Sequence, residues 1–244
     1  MQRGISQSGI SIFRDCPYAF KLHYVDQREP VFYNFDVLDI GGYVHEAIER
    51  YYKNYYLTNG TKDDILNKTY SCLKDIWDTT LLPEYLKKAY DCLENHAKWE
   101  ENNIKTGIGT KPLTEIAIDS GDYYGLIDYI DLPSNRVIDW KTNKFPVLSY
   151  EYRMQAYVYK KLFESKFNEK LSHFYFFFLY PNDWRTVSYE KEKQIEVGKD
   201  VEKFLAEIKE CYDKEEFEKR PRIRSTCKNC NYRLYCKFEG GKDE

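Results

Sequence analysis

Two short apolar runs joined by a turn, each ending in an acid, constrain this chain more than any other feature. Leu126 and Ile127 lead into Asp128, and Val137 and Ile138 lead into Asp139. Between them Pro133, Ser134 and Asn135 supply turn chemistry. Each run has strand length, so the segment predicts a hairpin. Side chains alternate along a strand, so Asp139 and Lys141 share one face while Trp140 takes the other. Pairing of the two runs brings Asp128 alongside them. Converging carboxylates repel, and the usual relief is a divalent cation bound through oxygen. A lysine beside that cation can position or activate a water, which suits phosphodiester hydrolysis. An isolated Asp-x-Lys is most often a solvated turn, its surface ion pair worth about 0–1 kcal/mol. Only further pieces elsewhere in the chain lift this one above that.

The cysteines supply one such piece. Of seven, three cluster near the C-terminus as Cys227, Cys230 and Cys236, and a fourth, Cys16, sits before Pro17 at the other end. Cys72, Cys92 and Cys211 lie in helix-like periodic stretches and read as core residues. A C-x2-C-x5-C run with one remote cysteine offers four thiolates. Zinc and iron–sulfur clusters both accept that set, and spacing alone does not choose between them. An odd cysteine count and an opening Met1-Gln2-Arg3-Gly4 with no secretory pattern argue against a disulfide framework. The expected compartment is the cytoplasm.

Two helices add candidates. In the stretch from Gly41 to Tyr52, Val44, Ile48 and the tyrosines recur at helical spacing, which sets His45 at the border of a buried face. A lone histidine there is ordinarily a satisfied core residue, and its alternative role is a metal ligand. Glu49, one turn on, is placed to orient it. Farther along, Ser149 is a suitable N-cap, and Gln155 and Tyr159, four residues apart, share a face of the helix that follows. Beside the hairpin, that pair can hold the lysine, a water or a phosphate.

With 42% hydrophobic residues, 24 Tyr and 14 Phe in 244 residues, the chain can bury a core. No apolar run approaches transmembrane length, so no membrane span is expected. The longest apolar block, Phe174 to Tyr180, has the length of a central strand. A net charge of −3 excludes a uniformly basic nucleic-acid binder, so any attraction for phosphate is local. One segment qualifies. From Lys219 to Lys237 there are seven Lys or Arg and no acid, with Tyr232 and Tyr235 placed to stack on bases.

Helices are expected at about 8–25 (broken near Pro17), 40–58, 62–79 and 84–103, the third opening with a capping-box-like Thr61 to Asp64. A linker over 106–112 separates them from strands at about 113–119, 122–131 and 136–142. The Gln155 helix follows, then strands at about 171–180 and 185–190 and a helix at about 192–218. The tail from Gly240 to Glu244 is expected to be disordered. The pattern predicts an α/β chain: one domain over 1–244, with a mixed sheet flanked by helices, an N-terminal helical part and a C-terminal cysteine segment. The helices of 61–105 form an insert or subdomain over the site.

The order of these pieces is remote Cys, helical His, Asp, Asp-x-Lys, Gln-x3-Tyr and then C-x2-C-x5-C. From Ser11 to Phe238 it resembles the PD-(D/E)xK nuclease superfamily. Within it, the chain is similar to the RecB-type branch that carries an iron–sulfur cluster, including the CRISPR-associated exonucleases of the fourth Cas family and the nuclease domain of AddB. The resemblance implies a restriction-endonuclease-like sheet. It also implies a metal-dependent exonuclease on single-stranded DNA that leaves 5′-phosphate and 3′-hydroxyl ends. It implies that His45, Asp128, Asp139 and the Trp140 carbonyl hold Mg2+ or Mn2+, that Lys141 is catalytic, and that Gln155 and Tyr159 form the accompanying helix pair. It implies a 4Fe-4S cluster on Cys16, Cys227, Cys230 and Cys236, in a region made of 219–238 with Cys16. The implied partners are DNA and a CRISPR integrase or a helicase, in spacer acquisition or in viral or recombination DNA processing. Asp139 stands where many members have Glu, and both ligate. Two rival readings stay open: a DNA-end-binding scaffold with little hydrolysis, against which the intact Asp-x-Lys speaks, and a zinc-type nucleic-acid-binding module. The chain carries no Walker-type phosphate loop, so unwinding would need a partner.

Overall fold

A computed structural model describes residues 4–31, 35–106 and 111–236. The middle of the expected linker, Lys237, Phe238 and the Gly240–Glu244 tail lie outside them.

The first helical segment is three pieces. Helix α1 (Gln7–Asp15) is capped by Ser6, whose side chain accepts from the Gly9 N–H, and α2 (Pro17–Phe20) runs into a single π-helical turn, Lys21–Val25. Cys16 sits at the break with an extended backbone, φ −167°. A residue before proline is disfavoured in the helical region, so Pro17 both ends α1 and turns Cys16 out of the helix. Helix α3 (Phe35–Asn54) begins earlier than expected. Helix α4 (Lys62–Ile76) opens with the expected capping box between Thr61 and Asp64, and α5 (Pro83–Lys105) starts on a proline at its first turn.

Five strands follow: β1 (Leu113–Asp119), β2 (Tyr124–Asp131), β3 (Arg136–Lys141), β4 (His173–Phe178) and β5 (Asp183–Ser188). They form one sheet in the order β1-β2-β3-β4-β5. Only β3 and β4 are parallel, joined by α6 (Tyr150–Phe167); the other pairs are antiparallel. The sheet is therefore mixed, as the element pattern predicts. Helix α7 (Glu192–Lys214) ends at a left-handed Glu215, φ 56°, and the short α8 (Arg224–Lys228) opens the cysteine segment.

Helices cover both faces. Phe174, Phe176 and Phe178 on β4 pack with α1, α6 and α7. Phe177, with Tyr129, Ile138 and Trp140, packs with α3, α4 and α5, where Cys72 and Cys92 are also buried. Burial on both faces explains why β4 reads as a continuous apolar run. Cys211 packs at the margin of the first core. Among the described residues no helix is long and apolar enough to cross a membrane.

Candidate active site

The hairpin forms in the expected register. Tyr129 pairs with Ile138 and Ile130 with Val137, and the next step of the ladder sets Asp128 opposite Asp139. One Asp128 oxygen accepts from the Trp140 N–H at 2.7 Å. Both aspartates are buried, 6% and 2% exposed, so their charges meet little water. As expected, Asp139 and Lys141 share a face, with the Lys141 ammonium 2.6 Å from Asp139, while Trp140 points into the other core.

Sequence reasoning missed a third carboxylate. Glu115 stands between Thr114 and Ile116, which pair with Tyr129 and Ile127, and so lies opposite Asp128. Its backbone is left-handed, φ 50°, a strained conformation for a residue with a side chain. Both strands lose strict alternation at this point. Leu113, Ile116 and Ile118 on β1 meet the same core, as do Ile127 and Ile130 on β2. A period of two cannot place both members of an odd-spaced pair on one face. The paired slip turns Glu115 and Asp128 towards α3.

Helix α3 answers with His45. Its Nδ1 is 3.5 Å from Asp128 and 3.9 Å from Glu115, and its Nε2 is 3.1 Å from the Trp140 carbonyl oxygen. Burial acts to lower the His45 pKa, but the charge and hydrogen bond of Asp128, then Asp139 and Glu115, push it up to about 9. Glu49 does not orient His45: its carboxylate pairs with Lys53 instead.

On the opposite side stands α6. Gln155 donates from Nε2 to Asp139 at 2.6 Å and accepts from Lys141 at 3.0 Å, so one amide fixes both groups. Tyr159 is also hydrogen-bonded to Gln155, while its hydroxyl donates to the Leu126 carbonyl at 2.6 Å. That approach requires Gly125, where an added Cβ would sit 2.7 Å from Leu162 and 2.9 Å from Tyr159.

The electrostatics call for a cation. Burial, with Asp128 alongside, raises Glu115 to about 8. Burial, partly offset by Lys141, raises Asp139 to about 6. Lys141 is itself held above its ordinary value, because Asp139 and Asp128 outweigh the burial that lowers it. Among the described residues, His45, Glu115 and Asp128 are the group of three such donors that lie within 4.8 Å of one another. Carboxylate oxygens with one imidazole suit Mg2+ or Mn2+.

The four cysteines named from sequence converge where the C-terminal segment meets the N-terminal helices. Backbone bonds from Arg222 to Asp15, Tyr18 to Glu218 and Val31 to Asn231 tie the C-terminal segment to the N-terminal helices. All four thiols are free. Burial comes first, then the neighbouring thiols, in raising Cys227; Cys230 feels both Cys16 and Cys227, and Cys236 feels the other three. Cys230 also accepts from the Tyr232 N–H at 3.4 Å. Crowded thiols of raised pKa are relieved by a metal centre that takes them as thiolates. The basic segment is only partly open. Arg222 pairs with Asp15 and Arg220 with Glu207, while Lys228 and Arg233 are exposed. Tyr232 cannot stack on a base as expected: it is 6% exposed and its hydroxyl meets His23. Tyr235 remains 40% exposed.

No curated protein matches the chain. A family model described as the PD-(D/E)XK nuclease superfamily matches residues 4–237. The match spans nearly the whole chain, so the chain belongs to that superfamily.

Proposed function

We propose that this member of the superfamily is a metal-dependent deoxyribonuclease, an exonuclease acting on single-stranded DNA. One observation carries the reading: the Lys141 ammonium, fixed by Asp139 at 2.6 Å and Gln155 at 3.0 Å, belongs to the same cluster as the buried Asp128 and the half-buried His45 and Glu115 donors. A structural ion pair has no need of that crowding. His45, Asp128, Asp139 and the Trp140 carbonyl would hold the ion, with Glu115 within reach of the same position. A bound Mg2+ or Mn2+ supplies a water of lowered pKa and a counter-charge for the phosphoryl oxygens. Lys141, kept as an ammonium by its two aspartates, donates from Nζ to the attacking water or to a phosphoryl oxygen. Gln155 keeps Asp139 and Lys141 in mutual register. Tyr159 keeps β2, and with it Asp128, at a fixed distance from α6.

Cys16, Cys227, Cys230 and Cys236 would hold a 4Fe-4S cluster, joining the two ends of the chain. The cluster's role is structural, closing a long loop and fixing a partly basic rim beside α1. The RecB-type order of motifs supports exonucleolytic work with a partner, in spacer acquisition with an integrase or in viral or recombination processing with a helicase.

The test incubates anaerobically purified protein with 5′-labelled single-stranded DNA and Mn2+, Asp139→Ala alongside. Laddering or mononucleotide release by the wild type alone is expected. Equal activity of the two proteins, or DNA binding by both without cleavage, would defeat the proposal.

A further inference from the structure

Residues 142–149 join β3, which ends at Lys141, to α6, which carries Gln155, and several of them are tethered. Asn143 accepts from the Tyr152 hydroxyl at 3.1 Å, and the Tyr152 ring lies 4.8 Å from the Lys141 ammonium. The Pro146 carbonyl accepts from Arg185 Nε of β5 at 2.7 Å. Val147 and Ser149 each bond the carbonyl two residues back, at 3.0 Å, which makes two successive tight turns. Leu148 packs into the core below.

On this tethered frame two apolar side chains face water. Phe145 is 71% exposed and Val147 64%; Phe145 is the most exposed large apolar residue among those described. Single exposed apolar residues are ordinary on a surface. This ring differs in its support and its position. It follows Lys141 by four residues, a chain reach of at most about 14 Å. The Lys144 ammonium lies 5.8 Å from the ring and pairs with no carboxylate among the described residues. An aromatic face and a cation next to a phosphodiester site match one ligand chemistry, a nucleobase joined to its phosphate.

Resting on the nuclease reading, we infer that Phe145 is a base-stacking residue. It packs against the face of an unpaired nucleobase close to the scissile phosphate, with Lys144 on the adjoining phosphate. A base inside a duplex has both faces taken by its neighbours, so this contact favours single strands.

The test uses the whole chain and two readouts. In the first, kcat and KM are measured on an intact single strand and on strands with an abasic site stepped through the positions flanking the cleaved bond. Phe145→Ala should lose roughly tenfold in kcat/KM on the intact strand, mostly through KM. It should lose nothing more where the stacked base is absent, and Phe145→Trp should recover the loss. Unchanged kcat/KM in Phe145→Ala, or equal sensitivity of wild type and variant to every abasic position, overturns the inference and leaves the loop as a protein-docking feature. The second readout needs no hydrolysis. Lys141→Ala protein is mixed with a strand carrying 2-aminopurine, and its fluorescence quenching is compared with that of the Lys141→Ala, Phe145→Ala double variant. Quenching that requires Phe145 supports stacking even if no preparation cleaves DNA, in which case the nuclease reading alone fails. Quenching indifferent to Phe145, or no binding at all, overturns stacking.

Discussion

Glu100→Gln tests a buried polar network whose pH response the structure fixes in sign. Glu100 on α5 has no solvent exposure. One oxygen accepts from the Tyr52 hydroxyl at 2.8 Å, and the other has no hydrogen-bond partner among the described residues. Burial pushes its pKa up from 4.5 to about 7, against the pull of the Tyr52 and Asn103 hydrogen bonds and the Arg136 charge. Asp131 adds to the rise. The Tyr52 hydroxyl, as donor to Glu100, is also 3.2 Å from His96 Nε2, and burial drives His96 down from 6.5 to about 3. At 1.36 kcal/mol per pH unit these differences correspond to about 3 kcal/mol for Glu100 and about 5 kcal/mol for His96.

The two signs oppose. The folded chain holds the Glu100 proton more tightly than the unfolded chain. That contribution is full below pH 4.5 and is lost as pH rises to about 7. The folded chain holds the His96 proton less tightly, so that contribution is full above pH 6.5 and is lost as pH falls towards 3. Between pH 4.5 and 6.5 they offset each other. Glu100→Gln removes one side. Urea unfolding across this range should show the variant gaining on the wild type by about 3 kcal/mol as pH rises through the window. Its own stability should fall steeply on acidification. A stability difference that is flat with pH would refute the burial argument. The network bears on the site because the His96 ring packs edge-on to Trp140, 5.5 Å away, and Trp140 lies between Asp139 and Lys141.

Other changes have defined outcomes. Gln155→Ala should cut kcat by roughly 10–100-fold with the fold intact by circular dichroism, because it frees both Asp139 and Lys141. Gly125→Ala should cost about 1–3 kcal/mol in urea unfolding, since the new methyl meets Leu162 at 2.7 Å. Cys230→Ala should abolish absorbance near the visible band of an iron–sulfur protein and lower Tm; an equally coloured variant would contradict the thiol assignment.

The hairpin, the shared face of Asp139 and Lys141, and the mixed sheet under helical cover were legible because each follows from short-range alternation. Glu115 was not, since an acid within a strand reads as a solvent-facing position, and only the pairing with β2 sets it beside Asp128. A trace of it was present: Leu113, Ile116 and Ile118 break the period of two. Tyr232 within a basic run looked exposed, and its burial depends on His23 at the far end of the chain. Glu49 was correctly placed one turn from His45, but Lys53 one turn farther on takes its carboxylate. In both cases the contact that decides is with a residue outside the motif.

The central claim is that one set of residues both binds a divalent ion and hydrolyses DNA, with Lys141 needed for the second task alone. Its most direct test measures Mn2+ binding by electron paramagnetic resonance together with single-turnover DNA cleavage for the wild type, Lys141→Ala and Asp139→Ala. The account predicts that Lys141→Ala binds Mn2+ as the wild type does and cleaves at least about 100-fold more slowly, while Asp139→Ala loses both. Cleavage by Lys141→Ala at the wild-type rate would contradict it.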